Sequence, residues 1–399
     1  MNLDEVLRRE GGQVLATLVR LTGDIGLAED ALQEAVIVAH ARWTDDDMPT
    51  NPAAWLTTAA RNKALDRIRR EARRSDKERE AVALLDQQLA DEPNEPADLL
   101  RLLFTCCHPA LSQEAQIALA LRTLCGMTTT EIAASFLVQD STMGQRISRA
   151  KKKIATAQIP YRVPEDHELP DRLPSVLEVL YLVFTTGHHA IEGSLDSRVD
   201  LASEAIRLCR MLAGLMPDEP EVRGLLALML ATHARRRARI APDGSIVLLA
   251  DQDRSMWDGA MIEEAAALVE GSLRQRAAGE YRIQAAIACL HGLAAHYEDT
   301  DFEQIAELYR LLEVIKPTPV VRVNRAVAEA QIAGPQRGLD LLEDVSGLDT
   351  WHLFWSTKAD FLRRLNRRGA AAEAYRTALR CQMNESDRAF LSDRLASVI

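Results

Sequence analysis

Two histidines and a short acidic stretch in the C-terminal half have residue types that could support catalysis or metal binding. His188 and His189 are adjacent, so on a helix they face different sides and would not bind one metal ion together. The stretch from Asp251 to Ser255 lacks the glycine and the terminal glutamate of an EF-hand calcium loop. We therefore predict no metal site, no cofactor and no catalysis. A helix cap or a regulatory contact is the interpretation given to Asp251, Gln252, Asp253 and Arg254.

The six cysteines form neither a metal-binding nor a disulfide pattern. Only Cys106 and Cys107 are close in the sequence, and no C-x-x-C spacing occurs. His108 follows them, but the apolar run that begins at Leu102 predicts a buried helix rather than a zinc or redox site. We expect a protein of a reducing compartment, whose cysteines are buried thiols. They are Cys106, Cys107, Cys125, Cys209, Cys289 and Cys381.

A helix-turn-helix pattern lies between Thr128 and Lys153. Thr128 and Glu131 have the spacing of an N-terminal cap, and a second helix begins near Asp140. Met143 and Ile147 would face inward, which leaves a polar, basic face suited to the major groove of DNA. The residues predicted to form that face are Ser141, Thr142, Gln145, Arg146, Arg149, Lys152 and Lys153. The alternative is an ordinary helical hairpin with a solvated basic end.

A strongly basic segment, 61–79, follows an apolar helical stretch that begins at Pro52. Its cations outnumber its four acidic residues, which favours contact with nucleic acid phosphates. The alternative is a solvated charged helix with internal pairs such as Arg67 with Glu71.

Hydrophobic periodicity predicts an all-α chain. Amphipathic helices are expected at 3–22, 27–43 and 52–74, with a break between the first two at Gly23-Asp24, and a compact helical unit is expected at 99–157. Residues 81–98 are predicted to be a charged linker. Prolines at positions 160, 164, 170 and 174 indicate a second linker at 158–173. The pattern of residues 174–399 predicts a succession of helices. Within them, 326–342 and 359–379 both predict helix, turn, helix, with turns at Gly334 and Asn366.

Composition limits the classes of function. The formal net charge is −11, so the chain as a whole would repel DNA, and any DNA contact must come from local basic patches. The charged N-terminus predicts no signal peptide, and the sequence lacks an apolar window long enough to span a membrane. We expect a cytoplasmic protein.

Residues 1–155 resemble the extracytoplasmic-function (ECF) sigma factors of the sigma-70 superfamily. Three segments carry the resemblance: 27–35 (LAEDALQEA), 52–66 (PAAWLTTAARNKALD) and 130–151, which begins TEIA and ends RISRAK. They are similar to the family's polymerase-binding helix, its promoter-melting and −10 segment, and its −35 reading region 4, in that order.

The resemblance implies roles for particular residues. Residues 1–80 would be region 2, and the clamp helices of the largest polymerase subunit would contact Asp30, Gln33 and Glu34. The −10 element would be contacted by Asn51, Arg61, Asn62, Lys63, Arg67, Arg70 and Arg74. Residues 99–157 would be region 4, whose partners are the polymerase flap and the −35 element.

Residues 160–399 resemble the tetratricopeptide-like extension that follows region 4 in one group of these sigma factors. The segments 159–164, 225–230, 251–255 and 324–328 carry this resemblance. It implies a covalently attached regulator of the sigma factor at 174–399. The partners of the chain would be core RNA polymerase and promoter DNA, and a signalling protein or ligand could bind the extension.

The prediction is thus a sigma factor without enzymatic activity. Two alternatives stay open at this point. One is a DNA-binding transcriptional regulator that acts independently of polymerase. The other is a ligand-sensing or enzymatic C-terminal domain that uses the N-terminal half for recruitment.

Overall fold

The computed structural model describes residues 3–43, 48–72, 95–136, 138–165, 167–189, 201–273 and 279–399. Within these ranges the chain forms 18 α-helices and four short 3-10 helices, and its one β-bridge joins Ile240 to Ile246. This confirms the predicted all-α class. The helices separate into two compact units, one that ends at Leu215 and one that begins at Met216.

The first three helices of the first unit pack on one another. They are α1 (Leu3–Thr22), α2 (Ile25–Arg42) and α3 (Pro52–Ala72), close to the predicted bounds. Gly23 ends α1 in the left-handed region, with φ of 68°. Asp24 then caps α2, since its Oδ1 accepts a hydrogen bond of 2.8 Å from the Leu27 amide. This confirms the helix break predicted at these two residues.

Four further helices of the first unit form the helix-turn-helix and its support: α4 (Glu95–Cys106), α5 (Gln113–Thr123), α6 (Thr129–Ser135) and α7 (Asp140–Thr156). The predicted cap of α6 is present as a capping box. The Thr128 amide donates to Glu131 Oε2 over 2.7 Å, and the Glu131 amide donates to Thr128 Oγ1 over 3.2 Å. The apolar stripe of α7, with Met143 and Ile147 at its centre, is buried as the spacing predicts.

Two more helices complete the first unit, α8 (Leu169–His189) and α9 (Leu201–Leu215). They pack on each other, and both contact α4, while α8 also contacts α5. The beginning of the predicted extension therefore shares a compact unit with the helix-turn-helix. The functional boundaries predicted at 80, 98, 157 and 173 stay predictions.

The second unit is a succession of helical pairs. Its helices are α10 (Pro220–His233), α11 (Gly259–Leu273), α12 (Glu280–Leu293), α13 (Phe302–Ile315), α14 (Pro319–Ala333), α15 (Pro335–Leu342), α16 (His352–Arg364), α17 (Arg368–Arg380) and α18 (Glu385–Ala396). Gly334, with φ of 87°, joins α14 to α15, and Asn366, with φ of 59°, lies between α16 and α17. Both predicted turns are thus confirmed, whereas the tetratricopeptide assignment stays a prediction.

Candidate nucleic-acid and protein interfaces

The helix α7 exposes most of the residues predicted to read DNA. Its buried stripe includes Ala150 and Ile154, so the opposite face of the helix is left to solvent. The exposed residues on that face are Ser141, Thr142, Gln145, Arg149, Lys152 and Lys153. The helix therefore presents a single polar face with three cations and no acidic residue among them. Such a face has the size and charge to enter the major groove.

Arg146 is held more closely than its neighbours on α7. Its Nη2 atom lies 2.9 Å from Glu114 Oε2 on α5, and its guanidinium lies 5.9 Å from the centre of the Phe136 ring. The carboxylate occupies a donor that would otherwise be available to a guanine edge. Arg146 must therefore exchange Glu114 for DNA if it reads a base.

Lys151 is a functional candidate that the predicted set omitted. Its ammonium group forms an ion pair with Glu29 on α2, and the two side chains are only 22% and 14% exposed. The pair thus joins the helix-turn-helix to the N-terminal helices, across 122 residues of sequence. No local pattern in the sequence could have indicated this contact, because it depends on how two separate helical groups pack.

The acidic residues predicted on α2 and the basic residues predicted on α3 lie against each other. Asp30 Oδ2 lies 2.7 Å from Arg67 Nη1, and Glu34 Oε2 lies 3.8 Å from Lys63 Nζ. All four side chains are substantially exposed, so these pairs contribute ~0–1 kcal/mol each to stability. The two predicted sites therefore share one surface of the three-helix group.

The remaining residues predicted for the −10 site have different surroundings. Asn51 is exposed and caps α3, since its Oδ1 accepts a 3.0 Å hydrogen bond from the Ala54 amide. Asn62 is exposed and Arg61 is half-buried on the same helix. Arg70 lies within α3, and Arg74 lies outside the described residues.

An apolar groove runs beside the exposed Gln33 on α2. Leu7, Leu15, Leu32 and Val36 line part of it, and its volume is about 370 Å³. Ile37 at its edge is 69% exposed, which is unusual for a large apolar side chain on an otherwise polar face. Ile37 could have been found in the sequence, because it breaks the polar series at exposed positions of α2.

A buried aspartate and a tyrosine join the helix-turn-helix support to the N-terminal helices. Asp98 on α4 is fully buried, with carboxylate oxygens 2.9 Å from Arg20 Nε on α1 and 2.8 Å from Arg101 Nη1. The Tyr161 hydroxyl lies 2.6 Å from the Ala16 carbonyl oxygen and 2.9 Å from that of Asp98. Burial raises the pKa of Tyr161 well above its usual range, so the hydroxyl stays a donor. Tyr161 lies in the segment that links α7 to α8.

The start of α8 provides a second connection between α4 and the segment that links α7 to α8. Arg172 donates a 2.9 Å hydrogen bond from Nη2 to the carbonyl oxygen of the buried Phe104 on α4. Arg162 and Glu168 form a two-bonded ion pair within the linking segment, with distances of 2.8 Å and 2.5 Å. The segment is thus attached to α4 by side chains at both of its ends.

The predicted regulatory contacts lie in a loop of the second unit between α10 and α11. Asp253 caps a short 3-10 helix by accepting a 2.9 Å hydrogen bond from the Ser255 amide, which confirms the cap interpretation. Gln252 donates to the Val247 carbonyl oxygen over 3.2 Å, and Asp251 is exposed. Arg254 points back to α12, where the carbonyl oxygens of His291 and Ala294 accept from it.

The thiols are placed as the sequence predicts. All six cysteines are buried, and none of them forms a disulfide. Burial raises the pKa of both the Cys106 and the Cys125 thiol to about 12, so neither is a nucleophile near neutral pH. Within the described ranges, no three His, Cys, Asp or Glu side chains are grouped closely enough to hold a metal ion. His188 and His189 end α8, and Glu192, which the sequence places near them, lies outside those ranges.

Comparison with known protein families divides the chain into three matched segments. Residues 6–74 match sigma-70 region 2, and residues 101–154 match sigma-70 region 4. Residues 172–273 match a family described only as one of unknown function. The first two segments contain α1 to α3 and α5 to α7, the helices that carry the predicted interfaces.

Relatives extend the comparison beyond these segments. An uncharacterised protein of Rhizobium meliloti is 41% identical over 96% of this chain and 92% of its own length. The ECF RNA polymerase sigma factor SigL of Mycobacterium tuberculosis is 33% identical over 34% of this chain and 77% of its own length. The probable ECF RNA polymerase sigma factor SigI of the same organism is 27% identical over 45% and 64%.

No solved structure matches the chain. Among the helices the structure describes, none is both long enough and apolar enough to cross a membrane. The match to SigL over most of that protein, with both sigma-70 regions in order, settles the family. The chain belongs to the ECF RNA polymerase sigma factors of the sigma-70 superfamily, a family of transcription initiation factors and not of enzymes.

Proposed function

We propose that the exposed polar face of α7 reads the −35 element, and that α2 and α3 together engage core polymerase and the −10 element. The observation that carries this proposal is the exposed polar face of α7, because residues 141–153 of this helix include exposed cations and no acidic residue. Within that face, Gln145, Arg146 and Arg149 are suited to base edges, whereas Lys152 and Lys153 are suited to phosphates.

On α2, the proposed polymerase surface is the exposed set Asp30, Gln33 and Ile37 together with the neighbouring groove. An apolar residue surrounded by polar ones is the usual composition of an interface centre and rim. The clamp helices of the largest subunit are the proposed occupant of this surface, and the flap is the proposed partner of residues 99–157. Catalysis is not part of the proposal, and a cytoplasmic location follows from these partners.

The proposed −10 contacts on α3 are the residues predicted from the sequence, with one condition. Arg67 and Lys63 are already paired with the acidic residues of α2, so DNA phosphates must compete with those carboxylates. We propose that polymerase binding to Asp30 and Glu34 releases the two cations for DNA. Binding of polymerase and of promoter would then favour each other.

The arrangement of the first unit bears on when DNA is bound. The −10 and −35 elements lie about 25 base pairs apart, or ~85 Å at a rise of 3.4 Å. A compact chain of roughly 210 residues has a radius of gyration of ~17 Å and is therefore about 45 Å across. One compact unit cannot reach both elements, so α7 must separate from α2 before a promoter is engaged. We call the compact arrangement the closed state.

We propose that the extension stabilises this closed state and so regulates the sigma factor. The supporting observations are the hydrogen bonds of Tyr161 to both α1 and α4, and the packing of α8 and α9 on α4. A signal that loosens the extension would then release α7. This is the sense in which residues 174–399 would act as an attached regulator.

Run-off transcription with purified core polymerase tests these proposals. Tyr161→Phe removes a hydroxyl whose bond contributes ~0.5–1.5 kcal/mol, so transcription should rise ~2–10-fold at limiting protein. Tyr309→Phe, at a partly buried tyrosine of the second unit, is the matched control and should leave it unchanged. Equal transcription by wild type and Tyr161→Phe would refute the regulatory proposal. A chain that neither transcribes nor binds core polymerase would refute the assignment of the interfaces.

A further inference from the structure

The loop between α10 and α11 gathers positive charge around one tryptophan. The guanidinium of Arg254 lies 4.4 Å from the centre of the Trp257 ring, and that of Arg235 lies 5.8 Å from it. Trp257 itself is buried, in a small apolar cluster with Ala234, Ala238 and Ile262. Two arginines on one ring gain cation–π attraction, but they also bring two like charges together.

Arg254 has a structural role that uses the donors of one of its three nitrogen atoms. Its Nη1 atom donates to the carbonyl oxygens of His291 and Ala294, over 2.8 Å and 2.6 Å. These carbonyls lie at the C-terminal end of α12, where a cation is favoured. Glu298 and Asp299 also lie close enough to attract it. Its Nη2 atom is nevertheless buried and has no hydrogen-bond partner among the described residues.

Arg235 has no comparable partner. Its Nε atom is buried without a hydrogen bond, and no carboxylate of the described chain forms an ion pair with it. Burial, with smaller contributions from the nearby cations Arg239 and Arg254, lowers its pKa to about 10. Arg235 is only partly exposed, and an arginine this far withdrawn from water is rarely left without a counter-charge.

His291 adds a third nitrogen-rich group to the same place. Its Nδ1 atom is buried and unpartnered within the described structure, and its ring packs edge-on against Phe302 at 5.9 Å. Burial, together with the nearby cations Arg235 and Arg254, lowers the pKa of His291 to about 4. The imidazole is therefore neutral at neutral pH and can donate a hydrogen bond to an anion without bringing a third charge.

Packing alone does not explain this cluster. Trp257 and Arg254 would hold the loop on α12 equally well if Arg235 were a neutral residue. The cluster thus holds three N–H donors without a hydrogen-bond partner among the described residues, on Arg235, on Arg254 and on His291 of α12, and Arg235 has no paired carboxylate. Guanidinium groups bind tetrahedral and planar oxyanions through pairs of parallel N–H bonds.

We propose that Arg235, Arg254 and His291 form a binding site for a phosphate-type oxyanion, either free or carried by a small molecule. The anion would supply the missing counter-charge of Arg235 and accept the unused donors of the other two side chains. This site lies wholly in the second unit, so the inference does not depend on how the chain contacts polymerase or DNA. The neighbouring residues Asp251, Gln252 and Asp253 belong to the same loop, so occupancy would order the segment that the sequence marks as a regulatory contact.

Isothermal titration of the purified full-length protein with inorganic phosphate tests the site, with sulfate as a second tetrahedral probe. The wild type should bind phosphate saturably, with a dissociation constant below about 10 mM, because several charge-assisted hydrogen bonds would form. Arg235→Gln should weaken binding at least tenfold. Arg237→Gln, two residues away and exposed, is the matched control and should leave binding unchanged.

Thermal unfolding separates a ligand site from a structural arginine. If Arg235 awaits an anion, Arg235→Gln should unfold at the same or a higher temperature without phosphate, and phosphate should raise the unfolding temperature of the wild type only. Three results would overturn the proposal: no saturation below 10 mM, equal binding by wild type and Arg235→Gln, or a lower unfolding temperature of Arg235→Gln in the absence of anions.

Discussion

The ion pair between Glu29 on α2 and Lys151 on α7 gives the most direct way to perturb the closed state. Glu29→Gln removes one charge while keeping the side-chain shape. The pair is largely withdrawn from solvent, at 14% and 22% exposure. It therefore lies between exposed pairs, which contribute ~0–1 kcal/mol, and buried pairs, whose disruption costs ~3–5 kcal/mol. We expect ~1–3 kcal/mol, which would shift the ratio of open to closed molecules by a factor of about 5–150.

Energy transfer between two dyes measures this shift in the free protein. His40→Cys on α2 and Ala155→Cys on α7 provide exposed labelling sites, and the six native thiols are buried and so should not be labelled. Glu29→Gln should lower the transfer efficiency. Glu34→Gln on the same helix is the matched control, because Glu34 pairs with Lys63 within the N-terminal helices and not with α7.

A charge exchange tests whether the pair itself is responsible. Glu29→Lys and Lys151→Glu should each lower the transfer, and the double variant should restore it, since the attraction is re-formed with opposite signs. Two results would show that this ion pair does not hold the unit closed: unchanged energy transfer in Glu29→Gln, or a double variant that is more open than either single variant. In either case, apolar packing between α1 and α4 would be what holds the unit closed.

Four further outcomes are expected from the same structure. Arg146→Ala should weaken binding to duplex −35 DNA by ~1–3 kcal/mol in a fluorescence anisotropy titration, and an unchanged affinity would remove Arg146 from the reading face. Glu114→Gln, which frees that guanidinium from a pair of ~0–1 kcal/mol, should strengthen the same binding by up to about fivefold, whereas weaker binding would show that Glu114 positions Arg146. The pKa of His291 in the folded chain, about 4, lies below its ordinary value of 6.5, so protonation favours the unfolded chain. The free energy of unfolding should therefore fall by up to ~3 kcal/mol as the pH drops from 6.5 towards 4. In urea titrations, His291→Gln should flatten that pH dependence. An aromatic disulfide reagent should modify the six buried cysteines only after unfolding, and rapid reaction of the folded protein would contradict their burial.

Local sequence signals were enough to predict the elements of this fold. The Gly23-Asp24 break, the Thr128 and Glu131 capping box, and the turns at Gly334 and Asn366 all depend on a few adjacent residues, and all four are present. The buried stripe of α7 follows from helical periodicity alone. Such features are set by backbone preference and by side chains one turn apart, so they are readable without knowledge of the packing.

Contacts between distant segments could not be predicted in this way. The pairs of Glu29 with Lys151, and of Asp98 with Arg20, join helices far apart in the sequence. Likewise, the predicted polymerase residues on α2 and the predicted DNA residues on α3 were treated as separate sites, whereas Asp30 and Arg67 are paired. Arg235 drew no attention in the sequence, because an arginine lacking a counter-charge is recognised only from its surroundings.

The central claim is that this sigma factor must separate α7 from α2 before it can initiate transcription. A reversible crosslink tests it in one measurement: Glu29→Cys with Lys151→Cys, joined by a short bis-methanethiosulfonate, assayed by run-off transcription with core polymerase before and after reduction. We expect no transcript from the crosslinked protein and recovery of transcription after reduction. Each single-cysteine protein, treated in the same way, should stay active. Equal transcription by the crosslinked and the reduced protein would contradict it, because the closed unit would then be competent to engage a promoter.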